Sequence, residues 1–134
     1  MPERVYTPAE AQSLLDEVIR RLAERLVALR AETEPMRRRW QQMVVAIGSN
    51  GGNFAKPEVR QMRADLKQAA EELAEILSVF VKHGVHVKDP DTGLIDFPTE
   101  IDGEPALLCW RVGEERIEFW HTIEDRFAGL QPID

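Results

Sequence analysis

Apolar residues recur every three or four positions through the first third of the chain. The repeating positions are Ala11, Leu15, Val18, Leu22, Leu26, Leu29, Thr33, Met36, Trp40, Met43 and Ile47. This spacing is typical of a helix that buries one face. The segment 7–10, Thr-Pro-Ala-Glu, offers an N-cap residue, a first-turn proline and a capping-box glutamate, so the helix is predicted to begin at Pro8.

Pro35 lies within this repeat and interrupts the backbone hydrogen-bond ladder without interrupting the apolar stripe. One long helix, kinked near Pro35, is therefore predicted. The glycine-rich segment 48–53 is predicted to end it in a loop. A second helix is predicted over 57–82, with its stripe at Val59, Met62, Leu66, Ala69, Leu73, Ile76 and Phe80. Because both stripes are long, the two helices are predicted to form a long antiparallel helical hairpin.

The predicted helices differ in length, so the first turns of the first helix extend beyond the second. Leu14, Leu15, Val18 and Ile19 lie in this overhang, and either the β half or another subunit must cover them. The overhang and the heptad-like stripes predict a binding or interaction module that self-associates as a homo-oligomer through its long helices. No motif specifies a reaction, so a non-enzymatic role is favoured.

From Val85 onward the apolar period changes to two, which is typical of strands. After a short extended piece at 85–87, strands are predicted over 94–98, 106–112 and 117–122. Asp102-Gly103 is a strong signal for a hairpin turn, and Pro98 indicates an edge or an interruption. The prediction is one α+β domain over 1–134, with a helical half (1–84) followed by a small three-stranded antiparallel meander and tail (85–134).

Composition restricts the kind of protein further. The chain has 134 residues, of which 43% are hydrophobic and 31% charged, enough for a folded core without disulfides or metals. No run of apolar residues is long enough for a membrane span, and no secretory signal is evident. Cys109 is the single cysteine, which suits a reducing compartment. A cytoplasmic protein is predicted.

The net charge of −7 disfavours a nucleic-acid partner, which requires a basic surface. Arg37, Arg38 and Arg39 nevertheless form a basic cluster. These arginines are expected to pair with nearby glutamates, such as Glu34, at helical spacing. Regulation through a partner in the nucleoprotein machinery is the alternative that this cluster leaves open.

The residues capable of chemistry lie mostly in the β half. The candidates for ligand binding are Asp96, Cys109, Trp110, Glu114, Trp120 and His121. Thiolate, imidazole and carboxylate are the usual ligands of zinc, so Cys109, His121 and Asp96 are candidate ligands of a divalent metal such as zinc. A metal-binding protein or metal-dependent enzyme is therefore the alternative function. No close-spaced ligand pair such as CxxC or HExxH supports it.

Strand register decides whether such a site exists. If Cys109 faces Phe119, then Cys109 and His121 share one face of the sheet; if Cys109 faces Trp120, they lie on opposite faces. The turn at 113–116 does not choose between these registers. Trp110 and Trp120 are expected in the core rather than in a platform for stacking a ligand. Cys109 as a small core residue, or as a nucleophile with His121 as its base, are the competing interpretations.

Several short pieces of the β half carry a resemblance to a known family. They are Val-Lys-Asp at 87–89, Gly-Leu-Ile-Asp-Phe-Pro at 93–98, Leu-Cys-Trp-Arg-Val-Gly-Glu at 108–114, Phe-Trp-His at 119–121 and Gly-Leu-Gln-Pro at 129–132. In this order they resemble the bacterial domain of unknown function DUF 2203. The resemblance is close over 85–132 and loose over the rest. It implies a shared fold and no particular reaction, since that family has no established activity.

Overall fold

The computed structural model describes residues 4–50, 54, 56–124 and 129–133, with the side chain of residue 50 left out. The first helix consists of α1 (Pro8–Leu14), a π-helical turn (Leu15–Ile19) and α2 (Arg20–Asn50). Its predicted start is confirmed, because Thr7 Oγ1 accepts a hydrogen bond from the Glu10 amide and the Glu10 carboxylate accepts one from the Thr7 amide. The loop predicted over 48–53 is wrong for 48–50, which belong to α2, and 51–53 lie outside the described residues.

The π turn keeps the apolar face of the first helix in line. The fully buried positions are Ala11, Leu15, Ile19, Ala23 and Leu26. Three successive spacings of four would rotate this stripe around an α-helix, which has 3.6 residues per turn. The wider turn of a π-helix offsets that rotation. Ile19 and Ala23 are therefore buried, whereas Val18 and Leu22, which the regular repeat favoured, are only half-buried.

A kink was predicted near Pro35, but the first helix does not depart from α-helical geometry there. α2 runs as one helix through Pro35, and the departure lies at Leu15–Ile19 instead. Proline removes one backbone donor and frees the carbonyl four residues earlier. Pro35 and Ala31 are both exposed, so water reaches that carbonyl and the helix can continue.

The predicted helical hairpin is wrong. α3 (Pro57–His83) begins as predicted and ends at Gly84, whose φ is +69°, but the buried residues of the first helix form one hydrophobic cluster with residues of the sheet as well as of α3. Leu15 and Ile19 belong to one hydrophobic cluster with Phe97 and Trp110 of the sheet. An apolar stripe predicts that a face is buried and does not say which element buries it. The overhang is covered by the β half of the same chain.

Contacts between α2 and α3 include an ion pair. Arg25 donates to Glu72 across the two helices at 2.8 Å and also lies 3.2 Å from Glu32. Hydrogen bonding with Glu72 raises the pKa of Arg25, and the same bond lowers the pKa of Glu72. As the helical spacing predicts, Arg37 and Arg38 each lie 3.5 Å from Glu34. Within the described part of the chain, no helix combines the length and apolar character needed to cross a membrane.

The sheet has five antiparallel strands rather than the three predicted. They are β1 (His86–Asp89), β2 (Leu94–Ile101), β3 (Glu104–Arg111), β4 (Phe119–Thr122) and β5 (Gln131–Pro132), and they pair in sequence order. The predicted three-stranded meander is therefore wrong. The added edge strands have four and two residues, too few to establish an alternating pattern, and their pairing depends on neighbours that a local pattern does not identify.

The β2–β3 hairpin takes its register from its turn. Asp102 and Gly103 both have positive φ, at 53° and 80°, as a two-residue type I′ turn requires. Ile101 therefore pairs with Glu104, and counting back along the ladder pairs Asp96 with Cys109. Pro98 does not interrupt the hydrogen bonds between β2 and β3, because its carbonyl points away from β3. That carbonyl accepts a hydrogen bond from the Tyr6 amide at 2.8 Å.

The β3–β4 connection is held by the first helix. Arg20 donates to the carbonyls of Glu114 and Glu115 at 2.9 and 2.7 Å, and Gln12 accepts from the Ile117 amide at 2.9 Å. The resulting register pairs Cys109 with Phe119. Of the two registers that the sequence left open, this is the one that allows a shared site.

Side-chain alternation gives the sheet two faces of different character. The face toward the helices carries Ile95, Phe97, Leu108 and Trp110, all fully buried. The opposite face carries Leu94, Asp96, Leu107, Cys109 and His121, which are also buried. We call this second face the polar face, because three of these five side chains have polar or ionisable groups.

Replacing Gly93 by alanine is expected to destabilise the protein more than the same change at Gly103. Both residues have positive φ, so each substitution costs about 1–2 kcal/mol in backbone strain. A Cβ on Gly93 would lie 2.3 Å from Val112 Cγ2 and 2.9 Å from Val27 Cγ2, whereas nothing lies within 4 Å at Gly103. Overpacking should add about 1–3 kcal/mol at Gly93 alone. Urea unfolding of both variants measures the difference, and equal losses would contradict this packing.

Candidate functional site

Three polar side chains from neighbouring strands converge at the centre of the polar face. Asp96 lies directly across from Cys109, and His121 lies across from Leu107, diagonal to Cys109 on the same face. One ligand atom of each residue lies within 4.8 Å of the other two. We call Asp96, Cys109 and His121 the polar triplet. Carboxylate, thiol and imidazole are thus held by the strand ladder rather than by a loop.

The polar triplet is buried beneath a cavity of about 370 Å³. Asp96, Cys109 and His121 are 1%, 6% and 5% exposed. The cavity is lined by the triplet together with Lys88, Leu94, Leu107 and Ile123. A cavity of this size is within the range of small-molecule sites. The polar groups therefore face a space that a small ligand can fill.

The hydrogen bonding of His121 determines which nitrogen faces Asp96. Nδ1 lies 2.8 Å from the backbone oxygen of Thr122. A carbonyl only accepts, so Nδ1 carries a proton. Nε2 lies 3.4 Å from Asp96 Oδ2. In neutral imidazole Nε2 bears a lone pair, so two electron-rich atoms face each other unless a proton or a metal ion lies between them.

One carboxylate oxygen of Asp96, the buried Oδ1, has no hydrogen-bond partner among the described residues. Burial raises the pKa of Asp96, and its interactions with His121, Lys88 and the Cys109 thiol oppose that effect only in part. Buried carboxylates are normally paired or bound to a metal. An unpaired buried oxygen in a cluster of ligand atoms is therefore the clearest sign of a binding site on this face.

Cys109 does not have the properties of a nucleophile. Burial raises the pKa of its thiol to about 12, and the negative charge of Asp96 acts in the same direction. A reactive cysteine has a lowered pKa. His121 also cannot link Cys109 to a carboxylate in a catalytic triad, because Nδ1 is occupied by the Thr122 carbonyl and only Nε2 faces the cluster.

The other three predicted site residues lie elsewhere. Trp110 is fully buried on the face toward the helices, where its Nε1 donates to the Glu114 carbonyl at 2.9 Å and Arg20 lies over its ring. Trp120 packs against the same core. The Glu114 carboxylate accepts from the Arg111 amide within the β3–β4 turn at 2.7 Å. None of these side chains lines the cavity.

Sequence reasoning missed four cavity residues, although part of the signal was present. A two-residue Asp102-Gly103 turn already implies that Asp96 faces Cys109, which brings Leu94 and Leu107 to the same face. Lys88 gave no such signal, because it lies in a β-bulge where the pairing shifts between Val87 and Asp89. Ile123 follows β4 in a turn, outside any alternating pattern.

The fold and the polar triplet define a protein of two long helices on a five-stranded antiparallel sheet, with a buried polar site on the sheet face opposite the helices. The chain belongs to the family described as Uncharacterized conserved protein (DUF2203), whose family model matches residues 4–133. The resemblance seen in the sequence is thereby confirmed over almost the whole chain. Searches of the curated proteins and of the solved structures found no match.

Asp96→Asn is expected to raise the stability of the metal-free protein at neutral pH. Burial raises the pKa of Asp96 above its ordinary value of 3.8, so the ionised carboxylate favours the unfolded chain. The stability of the native protein should fall as the pH rises from 3.8 through this raised pKa, and asparagine should remove that fall. Unfolding by urea in a chelator, from pH 4 to pH 8, measures the effect.

Asp89→Asn provides the control of opposite sign. The Asp89 carboxylate accepts from the Asp91 amide at 3.0 Å and from Thr92 Oγ1 at 2.9 Å, and these bonds lower its pKa. Its contribution to stability is present above the ordinary value and lost as the pH falls through the lowered pKa. This variant should therefore lose stability at neutral pH. A loss of the same sign in Asp96→Asn would mean that Asp96 has a structural role.

Proposed function

We propose that the chain is a metal-binding protein whose site consists of Asp96, Cys109 and His121. The observation that supports it most is the convergence of three different ligand atoms within 4.8 Å on a buried sheet face. A thiolate, an imidazole and a carboxylate together suit zinc and similar transition metals, and the sulfur ligand disfavours magnesium and calcium. The proposed occupant is therefore a zinc-class divalent cation.

Details around the triplet support a metal more than a proton. Metal-bound histidines usually donate their second nitrogen to a carbonyl or carboxylate, and Nδ1 of His121 meets the Thr122 carbonyl. A proton between Nε2 and Asp96 Oδ2 would satisfy those two atoms, and the Cys109 thiol also hydrogen-bonds to Asp96, but the buried Oδ1 would still have no donor among the described residues. A metal ion would use all three residues at once.

Three protein ligands leave at least one position open in a four-coordinate site. Open sites of this kind occur in catalytic zinc centres, whereas structural zinc sites are closed by four protein ligands. On the polar face the open position would be directed at the cavity that the triplet lines. The proposal is therefore a metal site that can take a further ligand.

Zinc or cobalt(II) is expected to bind the untagged protein with a stoichiometry of one. Cys109→Ser, His121→Gln and Asp96→Asn should each weaken binding by at least about 100-fold, since losing a second-shell partner alone typically costs 10- to 100-fold. Binding should also release a proton near neutral pH, because the pKa of the Cys109 thiol is about 12 in the metal-free protein. Calorimetry in buffers of different ionisation enthalpy measures affinity and proton release together.

His83→Gln is the matched control, because His83 lies at the end of α3 and outside the triplet. It should bind metal as the native protein does. If native protein and all variants bind metal equally, or only substoichiometrically, the metal site is wrong. Circular dichroism of each metal-free variant separates loss of a ligand from loss of the fold.

Self-association through the long helices is a second proposal. Val44 and Val45 near the end of α2 are 36% and 69% exposed, and Phe54 after it is 40% exposed. Trp40 and Met43 of the same region are only half-buried. Apolar side chains gathered at one helix end are a common feature of interfaces.

A concentration-dependent increase in mass is expected from the native protein in sedimentation or light scattering. Val45→Glu should shift it toward the monomer, because a charge would be placed within the apolar end of α2. Val81→Glu is the control, since Val81 is 78% exposed on α3, away from that region. A native protein that stays monomeric at micromolar concentrations, or equal effects of the two variants, would contradict self-association through α2.

A further inference from the structure

We propose that the open position of the metal binds the carboxylate of a small organic acid, and that the ammonium of Lys88 makes the second contact with that carboxylate. This inference rests on the metal site proposed above and adds the class of its ligand. Three observations support it: the charge balance of the triplet, the position of Lys88 and the apolar wall of the cavity.

The charge balance favours an anion. A divalent cation bound by the carboxylate of Asp96, the thiolate of Cys109 and neutral His121 has no net charge. Lys88 then leaves a positive charge at the cavity, which it lines together with the triplet. Arg111 and Glu114 carry opposite charges, and neither side chain lines the cavity. An anionic ligand is therefore favoured over a neutral or cationic one.

The β-bulge in β1 accounts for the position of Lys88. Val87 pairs with Ile95 and Asp89 pairs with Leu94, so Lys88 is an extra residue in the ladder. Bulges of this kind re-aim a side chain and are common beside binding sites. Lys88 is exposed, so a ligand can reach it, and its side chain lines the cavity together with the triplet.

The remaining wall of the cavity is apolar and therefore favours an organic anion over an inorganic one. Leu94, Leu107 and Ile123 complete the lining. Ile123 is 59% exposed, so its side chain is free to contact a ligand in the cavity. Phosphate or sulfate would leave these apolar side chains without a partner, whereas an alkyl carboxylate would cover them. The cavity volume of about 370 Å³ accommodates a short carbon chain.

Cobalt(II)-loaded protein provides the test. Coordination by Cys109 should give a cobalt–thiolate charge-transfer band, which reports metal binding by itself. Formate, acetate, propionate and butyrate are then titrated, with the visible d–d bands as the measure of the open position. Saturable changes are expected, and affinity should rise about two- to fourfold for each added methylene.

Lys88→Met should weaken carboxylate binding about five- to tenfold, as expected for loss of a charge-assisted contact at a partly exposed site. The charge-transfer band should be unchanged in this variant, because Lys88 is not a metal ligand. Lys82→Met is the matched control, since Lys82 is an exposed lysine on α3 outside the cavity. It should leave both the band and the carboxylate affinities at their native values.

The two proposals fail in different ways. Absence of the charge-transfer band overturns the metal site and the ligand with it. A normal band with d–d bands that no carboxylate changes overturns the ligand alone. The carboxylate assignment is also overturned if phosphate binds more tightly than butyrate, if affinity does not rise with chain length, or if Lys88→Met binds carboxylates as the native protein does.

Discussion

The register of the β2–β3–β4 ladder is the constraint on which the candidate site depends. Side chains alternate between faces, so a slip of one residue would turn Cys109 away from Asp96 or from His121. It would also bring Trp110 to the polar face and break the core that Trp110 forms with the helices. The register that packs the apolar face against the helices is therefore the same register that brings the polar triplet together. Core packing thus positions the polar triplet without any of its members contributing to the core.

Two different mechanisms set the register on the two sides of β3. On one side a local turn is sufficient, since Asp102 and Gly103 adopt the positive φ angles of a type I′ turn. On the other side the turn is held from a distance by Gln12 and Arg20 of the first helix. The π turn at Leu15–Ile19 lies between these two residues and sets their relative rotation about the helix axis. The geometry of the site therefore depends on the helical half.

This difference explains what could be predicted from the sequence. The helix start at Thr7, the second helix and the hairpin turn at Asp102 depend on local preferences, and the sequence predicted them. What covers the overhang at Leu15 and Ile19 depends on tertiary packing, so the sequence left the β half and another subunit as alternatives, and the β half packs there. Asp96, Cys109 and His121 were recognised by their chemistry. Their convergence depended on the β3–β4 register, and the connection between those strands is bound by Arg20 and Gln12 of the first helix, which is distant in sequence.

The polar triplet is difficult to explain as a group of residues that stabilises the folded protein. A buried polar atom without a partner costs about 1–3 kcal/mol, a large part of the 5–15 kcal/mol that typically separates folded from unfolded chains. Apolar residues at the same positions would extend the surface of Leu94 and Leu107 and avoid that cost. Oδ1 of Asp96, Nε2 of His121 and the thiol of Cys109 share one feature, which is that each can bind a metal ion. By this argument a metal-free sheet without them should be more stable, and this is the physical reason for proposing that the polar triplet binds a ligand.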